Sequence, residues 1–288
     1  MSHFPLFRPT SWLLACGAFS SLVLLARAEE APEISAVSAR TSKDYVRAKQ
    51  ADGSYPQETY AFGRGGIWGA ALHDPSMEKL DFMQVARTIA VPLAAQNYVP
   101  ARDPQQTNLL IMVYWGMTTG TGPATSSVAY QNLQSSQSLP PNAQEAAWAQ
   151  VSMANEQRDK ADAKNAGLLG YDSEDVIGTD YGRNLAMTAM RSKVQDLTED
   201  VEENRYFVVL MAYDFPLLMK EKQHKLVWET RFSIRQRGND FDQQLAAMAQ
   251  YASRYFGHDT HGLIRKPLPE TRVDLGELKI LGEEPEKK

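Results

Sequence analysis

Two runs, Leu109 to Trp115 and Tyr206 to Phe215, are almost continuously apolar. Each has the length of a strand, and apolar residues on every position suit a strand covered on both faces. A chain with two such strands has to lay other elements over them, which points to a layered domain rather than an open or fibrous one.

The remaining elements follow from local patterns. Tyr55 to Phe62 is aromatic and polar by turns and reads as a strand. Gly63, Gly65, Gly66 and Gly69 come next and read as a loop. Asp74-Pro75-Ser76 starts a helix whose face is Leu80, Phe82, Val85, Ile89 and Leu93. Pro92 should kink or shorten that helix, which ends near Asn97. Asp103-Pro104 is a turn into the strand Leu109 to Trp115. Strand, helix, strand is a βαβ unit, right-handed if its strands are parallel.

Thr118 to Pro141 is rich in Thr, Gly, Ser, Gln and Pro and reads as a long surface loop. Asn142 to Ala166 is a helix with few large apolar residues. Leu185, Met190, Val194, Leu197 and Val201 mark a further helical face. This stretch, about 118–203, lacks a core of its own and reads as a partly helical insertion. After the strand Tyr206 to Phe215, Lys220 to Lys225 is a charged turn. Trp228, Thr230, Phe232 and Ile234 then alternate with Glu229, Arg231, Ser233 and Arg235, a strand with one wet face. Asp240 with Gln243 resembles a capping box, and Phe241, Leu245, Met248, Ala252 and Tyr255 form one stripe. Gly257 supplies the stop. The expected fold is α+β: β-α-β, a helical insertion, then β-β-α, with helices on one face of a mixed sheet of about four strands. It occupies 55–265 as a single domain, after an extended lead-in over 29–54 and before a tail, 266–288, whose end is disordered.

The first 28 residues read as a secretory signal. Arg8 is the positive start, Trp12 to Leu25 the apolar segment, and Ala26-Arg27-Ala28 the cleavage site ahead of Glu29. The apolar run is shorter than the ~20 residues of a membrane span. The sole cysteine, Cys16, follows Leu13-Leu14-Ala15 like a lipobox, but apolar sequence continues to Leu25, so lipidation is not expected. Cleavage after Ala28 leaves a chain without cysteine, hence without disulfides or thiolate metal sites. The whole chain has 30 basic and 35 acidic residues. Arg8 and Arg27 leave with the signal, so 28 basic residues face 35 acidic ones and the net charge is about −7. An acidic surface argues against nucleic acid and anionic lipid as main partners.

No nucleophile elbow, phosphate loop or His-Glu-x-x-His motif is present. Gly63 to Gly69 lacks the glycine spacing of a nucleotide loop and reads as a turn. Trp115-Gly116 through Pro123 could form a binding lip; a strand leaving the sheet into a loose loop is the plainer reading. His258-Asp259-Thr260-His261 is the one metal-like cluster. Gly257 has already ended the helix, so the two imidazoles share no helical face and the metal candidacy of His258 and His261 is weak. His73 and His224 fall in loops. Asp172 to Asp175 and Glu199 to Glu203 lack calcium-loop spacing and read as solvated faces. Tyr171 and Tyr181 serve either a ligand groove or, more simply, the packing of the insertion.

Thr59-Tyr60-Ala61-Phe62, then Leu93-Ala94-Ala95-Gln96-Asn97-Tyr98 leading through Asp103-Pro104 into Leu109 to Trp115, and finally Lys225-Leu226-Val227-Trp228-Glu229 before the last helix, occur in an order that resembles a bacterial family. It is the envelope family, often lipoproteins, called domain of unknown function forty-one thirty-six. The resemblance covers about half of the processed chain; the long insertion, Pro92 and the unconvincing lipobox depart from it. It implies an envelope location and carries over no catalytic residue. The expected role is a non-enzymatic binding or structural module in the periplasm or outside the cell, with no cofactor and another envelope component as partner. Alternatives are a secreted metal-dependent hydrolase using His258, His261 and an acidic residue, and a carrier of lipid or another apolar ligand.

Overall fold

The apolar run around Val208 becomes the central strand of a seven-stranded mixed sheet. In chain order the strands are β1 (Ile34–Thr41), β2 (Glu58–Ile67), β3 (Tyr98–Pro100), β4 (Leu109–Met117), β5 (Arg205–Asp214), β6 (Leu226–Arg235) and β7 (Ile264–Pro267). Their order in the sheet is β3-β2-β4-β5-β6-β1-β7. β2 runs parallel to β3 and β4, and the other pairings are antiparallel. The helices are α1 (Pro75–Glu78), α2 (Phe82–Ala95), α3 (Val128–Ser136), α4 (Pro141–Leu169), α5 (Thr188–Glu202), α6 (Phe215–Glu221) and α7 (Phe241–Ala252). The structure is a computed structural model that describes residues 34–68, 73–171 and 188–267, all within the unit Pro32–Lys288. The signal with Cys16, Ala28 and Glu29, Gly69, the Asp172 to Asp175 cluster, Tyr181, Leu185, the side chains of Met190 and Val194, and the end of the tail lie outside the described residues. Among the described residues no helix is long and apolar enough to cross a membrane.

The α+β class and the mixed sheet agree with the sequence, but the sheet has seven strands, not about four. β1 lies in what reads as an extended lead-in, and pairs with β6 from Ala36–Ser233 to Thr41–Trp228. β3 and β7 are edge strands of three and four residues, too short to show a period. The glycine loop is not a loop. β2 runs through Gly63, Gly65 and Gly66 because β4 lies close: a side chain at Gly63 would overlap the sulfur of Met112, and one at Gly65 the ring of Tyr114. Gly66, at φ +91°, takes the bulge where the β2–β4 register shifts.

Helices cover both faces, not one. On the first face Tyr206, Val208 and Leu210 of β5 join Ile111, Val113, Trp228 and Ile234. They pack under α2 and α7 through Val85, Ile89, Leu93, Phe241, Leu245 and Met248. On the second face Phe207 and Val209 meet Ala166 and Leu169 of α4 and Leu197 and Val201 of α5. The insertion has little core of its own because it borrows the sheet's. β6 accordingly has no fully wet face, since Ser233 is buried.

Capping decides several boundaries. The single helix expected after Asp74 is two: Asp74 caps the one-turn α1, and Asp81 with Gln84 forms a capping box for α2. α2 continues through the buried Pro92 to Ala95. At α7 no capping box forms. Gln243 donates its amide to the Asp240 carboxylate (2.8 Å), and the Phe241 N–H goes to Ser76 Oγ (2.8 Å). The expected loop over Thr118 to Pro141 contains α3, and part of the charged turn belongs to α6.

Asp74 ties α1, α7 and β5 together. Its carboxylate accepts the Tyr206 hydroxyl (2.5 Å), the Ser76 hydroxyl (2.5 Å) and the N–H groups of Ser76 (2.9 Å) and Met77 (3.1 Å). Burial opposes its charge, but these bonds outweigh burial and hold its pKa below the ordinary value. A depressed carboxylate stabilises the fold above its unfolded pKa and loses that contribution as pH falls through its folded value. Asp74→Asn should cost about 2–4 kcal/mol at pH 7 and flatten the acid limb of stability. Urea unfolding between pH 2 and 7 checks this, and a loss equally large at both ends contradicts it.

Trp228 is buried against Phe256, stacked at 12° with centroids 5.9 Å apart, and Tyr98 lies 5.8 Å away. Trp228→Ala should destabilise by about 3–5 kcal/mol, read as a lower urea midpoint. A change under about 1 kcal/mol would contradict burial of the whole ring.

Candidate functional site

Residues 42–57 cross from β1 to β2 without regular strand or helix, yet carry the most deeply buried charge on that side of the sheet. The Arg47 side chain is 0 % exposed. Its guanidinium lies 3.9 Å from the Tyr98 ring centroid and 4.9 Å from that of Tyr55, a cation–π arrangement between two aromatic rings. Nη2 donates to the Pro56 carbonyl (2.9 Å), and Nε stands 3.9 Å from Glu58 Oε1. The Tyr45 hydroxyl donates to Glu58 (2.9 Å to Oε2) and lies 3.4 Å from the Tyr98 hydroxyl. Burial raises the Glu58 pKa despite the Tyr45 bond and the Arg47 charge, and burial also raises the phenols of Tyr45 and Tyr98. Gly257, at φ +73°, closes the cluster, because a side chain there would overlap the Tyr98 hydroxyl.

His258 belongs to this cluster. Its ring centroid is 4.9 Å from that of Tyr55. Burial first, then the positive charges of Arg47 and Lys49, hold its pKa below the usual histidine value, so it is neutral at pH 7. His261 goes elsewhere. It is exposed at φ +50°, and its N–H and Nδ1 both turn to Asp259 Oδ1, at 2.6 and 3.2 Å. The two histidines therefore present no common ligand face. α7 stops at Ala252 rather than at Gly257: a short 3₁₀ turn over Ser253–Tyr255 carries Tyr255, and Gly257 takes the left-handed bend after it. His73 pairs with Glu78 (2.9 Å), and His224 lies edge-on to Tyr213. Among the described residues no group of three or more His, Cys, Asp or Glu side chains converges as metal ligands would. The cluster is a clasp: two protonated phenols, a stacked guanidinium, the Glu58 carboxyl and a neutral imidazole hold the 42–57 strap. Arg47, Tyr45 and Glu58 have no motif. The one local sign is the period of two in Tyr45, Arg47 and Lys49.

The insertion is fixed by a second polar cluster. Asp200 and Arg205 are both buried, with Arg205 Nη1 2.6 Å from Asp200 Oδ1. Asp200 also accepts the Tyr171 hydroxyl (3.1 Å) and faces Arg265 Nε (3.2 Å). Glu202 pairs with Arg158, and Glu203 with Arg235 (2.5 Å). Glu199 to Glu203 is thus not simply a solvated face, since Asp200 and Glu203 tie the insertion to β5 and β6 and Glu202 ties α5 to α4. Tyr171 serves packing. The segment leaving β4 is not loose either: Thr118, Gly120 and Gly122 donate their N–H groups to Arg205 O (2.9 Å), Asn204 Oδ1 (2.8 Å) and Glu202 O (2.9 Å). Beyond that anchor α3 packs on the first half of α4. A cleft of about 260 Å³ opens between them, bounded by Tyr130, Leu133, Gln134, Gln137, Gln144 and Trp148.

No protein-family model and no curated protein matches the chain. Among solved structures, a PDZ domain protein from Parabacteroides distasonis is similar at 8% identity and a TM-score of 0.36. The match covers 83% of this chain and 40% of that one, so the chain spans less than half of that protein's length.

The geometry of the histidines gives an expected outcome. The double variant His258→Ala, His261→Ala should stay folded, and zinc should not raise the melting temperature of the unaltered protein. Thermal melting with zinc and with a chelator checks both. A zinc-dependent rise that disappears in the double variant would make the pair a metal site.

Proposed function

We propose that the chain is an exported cell-envelope protein acting as a non-enzymatic binding or structural module, with the helical insertion as the part that meets another envelope component. One observation carries this reading: the insertion is anchored at one end and bare at the other. Buried ion pairs and the second-face core hold the C-terminal end of α4 and α5. The α3–α4 hairpin leaves Val128, Leu139, Trp148 and Met153 exposed. Residues 118–155 contain a single charged side chain, Glu145, in a chain that is 23% charged. Interface cores are depleted of charge and enriched in aromatics and Met, and this is the part of the insertion with that composition.

The signal-like start and a motif order that resembles domain of unknown function forty-one thirty-six support the envelope location. No cofactor enters the reading. The acidic balance favours a partner other than nucleic acid. Intact-mass measurement of protein recovered from the periplasm or medium of its host tests the location. The expected mass begins at Glu29. A mass carrying an acylated Cys16 makes the protein a lipoprotein, and an unprocessed chain confined to the cytoplasm overturns the envelope reading.

A further inference from the structure

We propose that the cleft of the α3–α4 hairpin is a binding site for a neutral saccharide. The proposal deepens the binding-module reading by naming a ligand class, and its chemistry does not depend on where the protein resides.

The lining selects the ligand by elimination. No charged side chain bounds the cleft, so an ionic ligand would leave water without a counter-charge. Apart from Leu133, the walls are two aromatic rings, three glutamines and the Ser136 hydroxyl. A wholly apolar ligand would strip those amides of water and return no hydrogen bond. What fits is a neutral molecule with an apolar face and hydroxyl edges. A pyranose ring is built that way, with C–H groups on its faces and hydroxyls around its rim.

The residues are disposed to serve both parts. Trp148 is 58% exposed although it sits beside the α3 contact, so its ring is presented rather than packed away. Tyr130, half-buried, is the other aromatic. Aromatic rings give large contact area at small conformational cost. The side chains of Gln134 and Gln137 are exposed, and each amide offers an acceptor and two donors. Gln144 has a different task. Its amide nitrogen donates to the carbonyls of Leu139 (2.9 Å) and Gln137 (3.3 Å), which fixes the bend between the helices and turns its oxygen into an available acceptor. Ser136 donates to the Leu133 carbonyl (2.8 Å) and keeps its lone pairs. Asn132 and Gln150 bridge the same two helices at 3.4 Å. The site is thus held in shape by amide bonds of its own.

The cleft is sized for one or two rings. The cleft, about 260 Å³, falls just below the ~300 Å³ where drug-sized sites begin. An open site of that size should bind with Kd of about 0.01–1 mM.

The test is titration of the purified protein with cellotetraose, chitotetraose and maltotetraose, followed by calorimetry and tryptophan fluorescence. Saturable binding of at least one is expected. Trp148→Ala should weaken it at least about tenfold, Trp148→Phe should retain part, and Gln137→Ala should cost a few-fold. Melting temperature should hardly change in any of them, because the replaced atoms are exposed. Sedimentation of protein and variants runs in parallel. No saturation by any of the three up to about 10 mM, or binding indifferent to Trp148→Ala, overturns the proposal. So does a dimer that Trp148→Ala dissociates, which would make the cleft a contact between copies. The envelope reading fails separately: an unprocessed cytoplasmic chain that still binds sugar refutes the location and leaves the site standing.

Discussion

The guanidinium of Arg205 decides where the insertion sits. It starts β5, is almost fully buried, and reaches Asp200 on α5 (2.6 Å), Ser233 Oγ on β6 (3.2 Å) and the Ser233 carbonyl (3.4 Å). Such a pair adds little net stability over apolar residues of the same shape, yet removing one partner strands a charge at a cost of about 3–5 kcal/mol. Its value lies in direction. Apolar contact is non-directional, so Leu197 and Val201 alone would tolerate α5 at several positions on the sheet. A planar fork satisfied by one carboxylate and one serine tolerates far fewer. Tyr171 and Arg265 add to the same carboxylate from the end of α4 and from β7. One aspartate thereby sets the relation of α4, α5, β5 and the sheet edge.

The two faces of the sheet are built in different ways. The first face is covered by α2 and α7, which are close in sequence to the strands they cover, and its contacts are mostly apolar, with the Asp74 knot and the Arg47 clasp as its polar points. The second face is covered by a stretch inserted between β4 and β5, and it mixes apolar contacts with buried ion pairs. A sheet already closed on one side can accept such an insertion without losing its main core. The insertion is then free to carry composition that no core could use.

How much was legible in the sequence follows from this division. β4, β5 and α7 declare themselves, because burial leaves apolar runs and stripes that local windows detect. β1 does not: its Ile-Ser-Ala-Val-Ser-Ala-Arg-Thr is too small and polar to read as a strand, and its place is set by pairing with β6, nearly two hundred residues away. The Gly63 to Gly66 strand hides for a related reason, since those glycines answer to Met112 and Tyr114 rather than to a turn. α3 has five Gln, Ser or Asn among its nine residues, so little apolar periodicity marks it, and the Ser127 cap is its one local sign. Asp200 left a trace: it falls between Leu197 and Val201, on the face that ought to be apolar, where an acid needs a buried partner. The clasp around Arg47 had almost none, because its members come from Tyr45, Glu58, Tyr98 and His258, and only the tertiary fold joins them.

α4 shows how the insertion divides its labour. At about 1.5 Å per residue its 29 residues extend some 43 Å. Residues 156–164 crowd six charges into nine positions, while 141–155 hold one. The charged part lies where Arg158 meets Glu202 and where Asp162 accepts Thr121 (2.8 Å), and the buried end follows with Ala166, Leu168 and Leu169. The uncharged part carries Trp148 and borders α3. A helix transmits position along its length without hinges unless proline, glycine or a bulge intervenes, and between Trp148 and the anchor at Asp162 there is neither proline nor glycine. The anchor therefore fixes the cleft as well as the helix end, and a surface that contributes nothing to the core is still held in a defined orientation to the sheet.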